Sequence, residues 1–203
     1  MSIIRFFGAG LFQSLLPTRL EGERVMMRPP EPRDWSAWAA LRARSRSFLT
    51  PWEPAWPADT LTRDSFTRRI RRQMAEWRDD LTYSFLTFER DSGTLVGGLG
   101  LGNIRRGVSQ TATIGYWVGE PFARRGYTAE AVRLVLDYAF DELDLHRVEA
   151  SCLPNNQASR ALLEKLGFSC EGSARGYLRI EGVWRDHLIF ARLKEDRHGR
   201  CDR

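Results

Sequence analysis

A chain of 203 residues, 42% hydrophobic and 28% charged, is the size and make-up of one globular domain with a full core. It excludes a disordered chain, and a net charge of +5 suits anionic partners without choosing among phosphates, RNA and an acidic protein face. Cys152, Cys170 and Cys201 are scattered, as are His146, His187 and His198, so neither a disulfide framework nor a metal site is expected, and the thiols fit a reducing cytoplasm. The apolar run 3–16 carries only Arg5. It is too short to span a bilayer and lacks a basic start and a cleavage site. Residues 1–18 read as an N-terminal arm, 19–194 as the domain, and the charged 195–203 as a disordered tail.

Leu20 to Arg28 reads as a strand ended by Pro29-Pro30, and Arg33 to Arg46 as a helix with Trp35, Trp38, Ala39 and Leu41 near one face. Phe48 to Pro57 is a loop dense in Pro and Trp. Thr62 to Arg78 is a helix whose Phe66, Ile70, Met74 and Trp77 share the core-facing stripe. Its Arg68, Arg69, Arg71 and Arg72 fall on the other side, a solvated face or a docking surface for RNA or an acidic partner. Three antiparallel strands follow at 82–89, 94–104 and 111–118. The run Gly97-Gly-Leu-Gly-Leu-Gly102 is not a dinucleotide loop, because it lies within a strand pattern and not between strand and helix. Thr128 to Leu143 is a helix with a wide apolar stripe, Leu145 to Leu153 a strand, and Ala158, Leu162 and Leu166 mark a helix closed by Gly167. A hairpin, 174–180 and 183–193, turns at Glu181-Gly182. The order predicts an α+β fold: one domain with a mixed, mostly antiparallel sheet and helices on both faces. Its one parallel step joins strands 111–118 and 145–152, and their divergence leaves a slot for an extended ligand.

The stretch Pro121-Phe-Ala-Arg-Arg-Gly-Tyr-Thr-Ala-Glu-Ala131 joins a strand to a helix. Gly126 lets the backbone turn sharply and approach a ligand. The helix-opening amides and dipole favour an anion there, beside Arg124 and Arg125. The candidate phosphate cradle is therefore Ala123, Arg124, Arg125, Gly126, Tyr127 and Thr128.

This segment resembles the motif with which GNAT acetyltransferases hold the pyrophosphate of acetyl-CoA. Phe48-Leu-Thr-Pro-Trp-Glu-Pro54, Gly115-Tyr116, His146-Arg147, Asn156-Gln-Ala-Ser159, Leu163-Glu-Lys-Leu-Gly-Phe168 and Tyr177 through His187 extend the likeness over 19–193. They resemble the RimJ/RimL group, closer to RimJ, which acetylates the N-terminal amine of ribosomal proteins. The resemblance implies a GNAT fold with acetyl-CoA in the strand splay, no metal, and cytoplasmic N-acetyltransferase activity on an Ala or Ser terminus. It implies that Asn156 binds pantetheine and that Ser159 stands near the CoA sulfur as a donor to the departing thiolate. Backbone N–H groups near Trp117 and Val118 would hold the thioester oxygen.

The base is the open element. RimL-like enzymes often carry a Glu on the strand before the phosphate motif; here Thr111-Ala-Thr-Ile-Gly-Tyr116 has no carboxylate. At pH 7.5 about a third of α-amines are neutral, against about one lysine in a thousand, so a weak base favours N-terminal amines. Glu53 is the side-chain candidate to take the proton or bind the ammonium. Trp52 and Trp56 are expected to wall the acceptor site, facing Tyr177, Trp184 and His187 of the hairpin. Two rival readings stay open: an acetyltransferase for a small amine or antibiotic, and a ribosome-assembly factor keeping CoA as a structural ligand, with helix 62–78 on RNA.

Overall fold

The computed structural model describes residues 19–198; the N-terminal arm, residues 1–18, and positions 199–203 of the tail lie outside them. Among the described residues eight strands form one sheet in the order β1-β2-β3-β4-β5-β6-β8-β7. The strands are β1 (Leu20–Glu21), β2 (Val25–Arg28), β3 (Tyr83–Glu89), β4 (Leu95–Arg105), β5 (Thr111–Val118), β6 (Arg147–Cys152), β7 (Ser169–Ile180) and β8 (Val183–Leu193). Every neighbouring pair is antiparallel except β5 and β6. The expected first strand is in fact two: the chain turns at Gly22, whose amide donates to the Val25 carbonyl at 2.8 Å.

The helices are α1 (Trp35–Arg44), α2 (Arg46–Leu49), α3 (Arg63–Arg78), α4 (Tyr127–Asp137) and α5 (Gln157–Lys165). The expected helix 33–46 starts later, because Pro32–Asp34 form a separate tight turn, and breaks at Ser45, whose hydroxyl accepts from the Glu120 amide at 2.9 Å. In that turn Asp34 is buried and held by Arg28 Nη1 and Nη2 at 2.8 and 2.7 Å. Thr62 caps α3 by accepting from the Ser65 amide at 3.2 Å, and Asn156 caps α5 in the same way. A π-helical turn, Tyr138–Glu142, prolongs α4, closed by the Leu143 amide on the Tyr138 carbonyl.

Strand alternation sends the two sheet faces into two cores. On one face Ala112 and Ile114 of β5, Val148 and Ala150 of β6 and Phe190 of β8 pack against Val132, Val135 and Leu136 of α4 and Leu163 of α5. On the other, Leu86 and Phe88 of β3 pack against Trp38 and Leu41 of α1 and Phe66 and Ile70 of α3. Each fully buried aliphatic or aromatic side chain contributes about 1.5–3 kcal/mol, so these two layers hold the helices to the sheet. Met74 departs from the expected stripe of α3 and is among the exposed large apolar residues.

The glycine run lies inside β4, as its pattern predicts. Gly98 is required by close approach: a Cβ there would sit 2.5 Å from Trp117 Nε1 and 3.1 Å from the Phe85 carbonyl. The Trp117 indole therefore lies directly over the glycine backbone.

Candidate active site

β5 and β6 pair only from Thr111↔Arg147 to Thr113↔Glu149. Beyond that point β5 runs on to Val118 and β6 to Cys152, leaving the expected splay. On its other edge β5 stays paired to β4 through Val118↔Gly97, and the Gly119 amide donates to the Val96 carbonyl at 2.8 Å. Antiparallel ladders alternate, so in this register the amide of Trp117 faces β4 while those of Tyr116 and Val118 face the splay. Of the two positions expected to hold the thioester oxygen, Val118 therefore offers the amide. Trp117 presents its ring to the α1/α3 face.

At the end of β5 the chain enters the segment expected to cradle phosphate. Arg124 and Gly126 are both left-handed, with φ of 61° and 88°. Alternating backbone handedness turns successive amides inward to form an anion-binding concavity. Gly126 is the N-cap of α4 without any side-chain cap, so the first-turn amides have no intrahelical acceptor and the helix dipole adds to them. Arg124, Arg125 and Gly126 are exposed, Ala123 and Thr128 half-buried. Tyr127 contributes only backbone: its ring is buried and its hydroxyl donates to Glu89. Arg24, from the turn before β2, adds a cation here. Its Nη1 donates to the Arg125 carbonyl at 2.9 Å, and its guanidinium lies 4.8 Å from the Tyr127 ring centroid. Thr128 and Ala131 line a small pocket with Tyr116, Trp117 and Val118, so cradle and strand end form one cleft.

Across the splay, Tyr116 Oη and Ser159 Oγ are 2.7 Å apart. Burial pushes the Tyr116 phenol up to about 12, only partly offset by Ser159. Burial likewise raises the Cys152 thiol, against a smaller opposing effect of the Ser159 hydroxyl. Three weak acids thus stay protonated around one point, with Ser159 between the other two. Asn156 Oδ1 accepts from the Ser159 amide at 3.1 Å; its cap bond fixes the turn that places Ser159.

The opposite side of β5 holds the aromatic loop. Thr50–Trp52 form a tight turn and Glu53 is extended. The Glu53 carboxylate takes three donors: Arg42 Nη1 at 3.1 Å, Arg42 Nη2 at 2.5 Å and Trp56 Nε1 at 2.8 Å. Arg42 is 6% exposed. Its guanidinium stacks over Trp56 at 4.3 Å, Trp117 at 5.0 Å and Trp38 at 5.7 Å, and its buried Nε has no hydrogen-bond partner among the described residues. Arg42 was not a candidate from sequence, although the Trp38-x-x-x-Arg42 spacing already stacks the two on one helix face. The other missed residue, Arg24, leaves no local signal, because the bonds that bring it to Arg125 and Glu130 span more than a hundred residues.

The hairpin of β7 and β8 closes this side. Its turn meets the loop where the Glu181 amide donates to the Glu53 carbonyl at 3.3 Å. A bulge between Ala174 and Leu178 carries Tyr177, whose ring lies 5.8 Å from that of buried His187. Tyr177 and Trp184 are exposed, as is Trp52. The structure thus brings Glu53, Trp56 and Trp117 together through Arg42, and sets the hairpin beside them. The described residues contain no cluster of three or more His, Cys, Asp or Glu able to hold a metal.

Residues 24–169 match the family model for the acetyltransferase (GNAT) domain. The chain is 38% identical over 177 residues to the Bacillus subtilis protein named "Probable N-acetyltransferase YjcK", covering 87% of this chain and 98% of the relative. It is 30% identical over 186 residues to the Escherichia coli ribosomal protein uS5-alanine N-acetyltransferase, covering 91% and 96%. Among solved structures, Mycobacterium smegmatis RimJ in complex with a CoA-disulfide superposes with a TM-score of 0.84 at 34% identity, over 89% of each chain. The resemblance in the cradle, the loop and the hairpin is therefore one of descent: the chain belongs to the GNAT family of N-acetyltransferases.

Proposed function

We propose that this N-acetyltransferase transfers the acetyl group of acetyl-CoA to the free α-amine of a protein beginning with Ala or Ser, and that the protein is ribosomal. The observation that carries the reading is the placement of two different surfaces at one parting of strands. The segment 123–128, with its left-handed Arg124 and Gly126, leads to the parting on one side, and the Trp52–Trp56 loop, met by the hairpin turn at Glu53, lies on the other. The uS5-alanine acetyltransferase and RimJ neighbours support the ribosomal acceptor.

In this reading the amides of Ala123 to Thr128 take the pyrophosphate, with Arg24, Arg124 and Arg125 around it. Pantetheine runs up the splay beside Asn156. The Val118 amide donates to the thioester oxygen as the amine attacks, which lowers the barrier by an amount on the order of 3 kcal/mol. Ser159 donates to the sulfur as the C–S bond breaks, and Tyr116 supports it. Trp52, Trp56, Tyr177 and Trp184 wall the acceptor, and Glu53 fixes Arg42 beneath it. Residues 63–78 carry the arginine face that a ribosomal surface would meet.

The test is mass spectrometry of ribosomal-protein N-termini from cells with and without the chain, paired with a panel of N-terminal peptides and free amines in vitro. An acetyl group that appears on an Ala or Ser terminus only when the chain is present supports the reading. Acetylation confined to small amines returns it to an amine or antibiotic acetyltransferase. Binding of acetyl-CoA with no transfer to any acceptor favours the assembly-factor alternative.

A further inference from the structure

The region assigned to the acceptor holds more positive charge than its half-buried carboxylate, Glu53, balances. Arg42 is neutralised by Glu53. Arg46 of α2 lies with its guanidinium 5.4 Å from the Trp56 ring centroid, and Arg69 of α3 lies 5.5 Å from that of Trp38. Arg69 is within electrostatic reach of Arg42, Glu53 and Arg72. Arg72 has its own partner in Glu76 at 3.6 Å. From the hairpin come Arg175, Arg179 and Arg185 against Glu181 and Asp186, which leaves one further cation on that side, with the Asp186 carboxylate accepting from the Gly176 amide at 2.7 Å. His187 is buried, with Nδ1 3.0 Å from the Arg185 carbonyl. After β5, Glu120 is exposed. Around the two tryptophans this leaves the charges of Arg46 and Arg69 in excess.

An α-amine must lose its proton before it attacks a thioester. Both Glu53 oxygens already take donors, and β5 offers no carboxylate. We infer that Arg46 and Arg69, flanking the Arg42–Glu53 pair, activate the acceptor by repelling its ammonium form, so that the amine binds as the neutral nucleophile with its ammonium proton lost to solvent, and the proton the nitrogen sheds after attack passes to the departing thiolate. The inference rests on the N-terminal acceptor reading above and deepens it by replacing a general base with a charge environment. A nearby cation favours the neutral form of an amine. Were two excess charges on the order of 10 Å from the amine, an effective dielectric constant between those of protein and water would lower its pKa by about one unit. In exchange, the site binds the protonated peptide poorly.

The experiment measures single-turnover acetylation, at saturating acetyl-CoA and peptide, of an Ala-initiated octapeptide without ionisable side chains, from pH 6 to 9.5. The native enzyme should show an acid limb about one unit below the free peptide amine, whose own value is about 7.7–8.0. Arg46→Gln with Arg69→Gln alters two exposed side chains and should shift that limb back up. The variant should then be several-fold slower at pH 6.5, with the gap closing above pH 9. A purely structural role for the two arginines would lower the rate by one factor at all pH values, without moving the limb. A native limb coincident with the free amine, or an unmoved limb in the variant, overturns the proposal while leaving the acceptor reading intact. No acetylation of the peptide at any pH, with acetyl-CoA binding confirmed by calorimetry, overturns both. Glu53→Gln gives an independent arm: loss of the acid limb with a uniformly low rate would make Glu53 the base and sink the charge model.

Discussion

Tyr116 and Ser159 meet hydroxyl to hydroxyl at 2.7 Å across the gap where β5 and β6 part. They come from a strand and a helix on either side of the cleft, and the bond is the polar contact that spans it. A donor aimed at a departing thiolate acts mainly in the transition state. Ser159→Ala should therefore lower kcat by about 10-fold or more while changing the acetyl-CoA KM little, and Tyr116→Phe should do the same to a smaller degree. Rapid-quench kinetics on the chemical step check this. Full turnover in Ser159→Ala would leave Ser159 a helix-start residue only. Because burial holds Tyr116 protonated to about pH 12, no alkaline loss of rate below pH 10 should be removed by Tyr116→Phe.

Gly126 at φ 88° is a position where a side chain is strained whatever the space, and an added Cβ would meet Arg24 Nη1 at 3.3 Å. A non-glycine residue there costs about 1–3 kcal/mol. Gly126→Ala should weaken acetyl-CoA binding at least about 10-fold by calorimetry, with a smaller proportional effect on the acceptor KM. Affinity in the native chain should fall with added salt, since the contacts are ionic. A folded Gly126→Ala protein of unchanged affinity would remove the cradle from 123–128.

Gly98→Ala should displace the Trp117 indole, whose Nε1 would lie 2.5 Å from the new Cβ. Overpacking of this kind costs about 1–3 kcal/mol. The expected result is a melting temperature lower by several degrees and a raised acceptor KM, because Trp117 also supports Arg42. Thermal denaturation together with peptide kinetics reads both.

Glu171 of β7 is hydrogen-bonded by Arg147 of β6, which holds its carboxyl below the ordinary carboxylate range. A carboxylate with a depressed folded-state pKa stabilises the fold above its unfolded value of about 4.3 and loses that contribution as pH falls through the folded value. Both groups reach solvent, so the effect is modest. Glu171→Gln should lower the melting temperature by up to about 3 °C at pH 7 and by less at pH 3. An equal loss at both pH values would mean that packing, and not charge, joins the two side chains.

Much of the fold was legible because the signals were local. Thr62 and Asn156 announce helix starts through side chains that accept from amides three residues on. Gly167 at φ 78° closes α5 as its position predicts. The Gly97–Gly102 run could be assigned to a strand from alternation alone. What stayed hidden was decided by distant partners. The break at Ser45 depends on its hydroxyl accepting from the Glu120 amide at 2.9 Å, 75 residues away. Glu53 read as a free carboxylate in a loop, because nothing near it in sequence shows that Arg42 folds beneath it. Arg24 reaches the cradle only once β2 has docked against α4 through the Arg24 amide on Glu130, at 2.7 Å.

The alternation of β5 has a kinetic consequence. Tyr116 and Trp117 are neighbours in the chain, yet one points to the layer of α4 and α5 and the other to that of α1 and α3. If the thioester arrives along the first layer and the amine along the second, the sheet separates them up to the point where β5 and β6 part. Each substrate then has its own corridor, and neither must vacate for the other to enter. The natural scheme is a ternary complex with direct transfer, and initial-rate plots against both substrates should intersect and not run parallel.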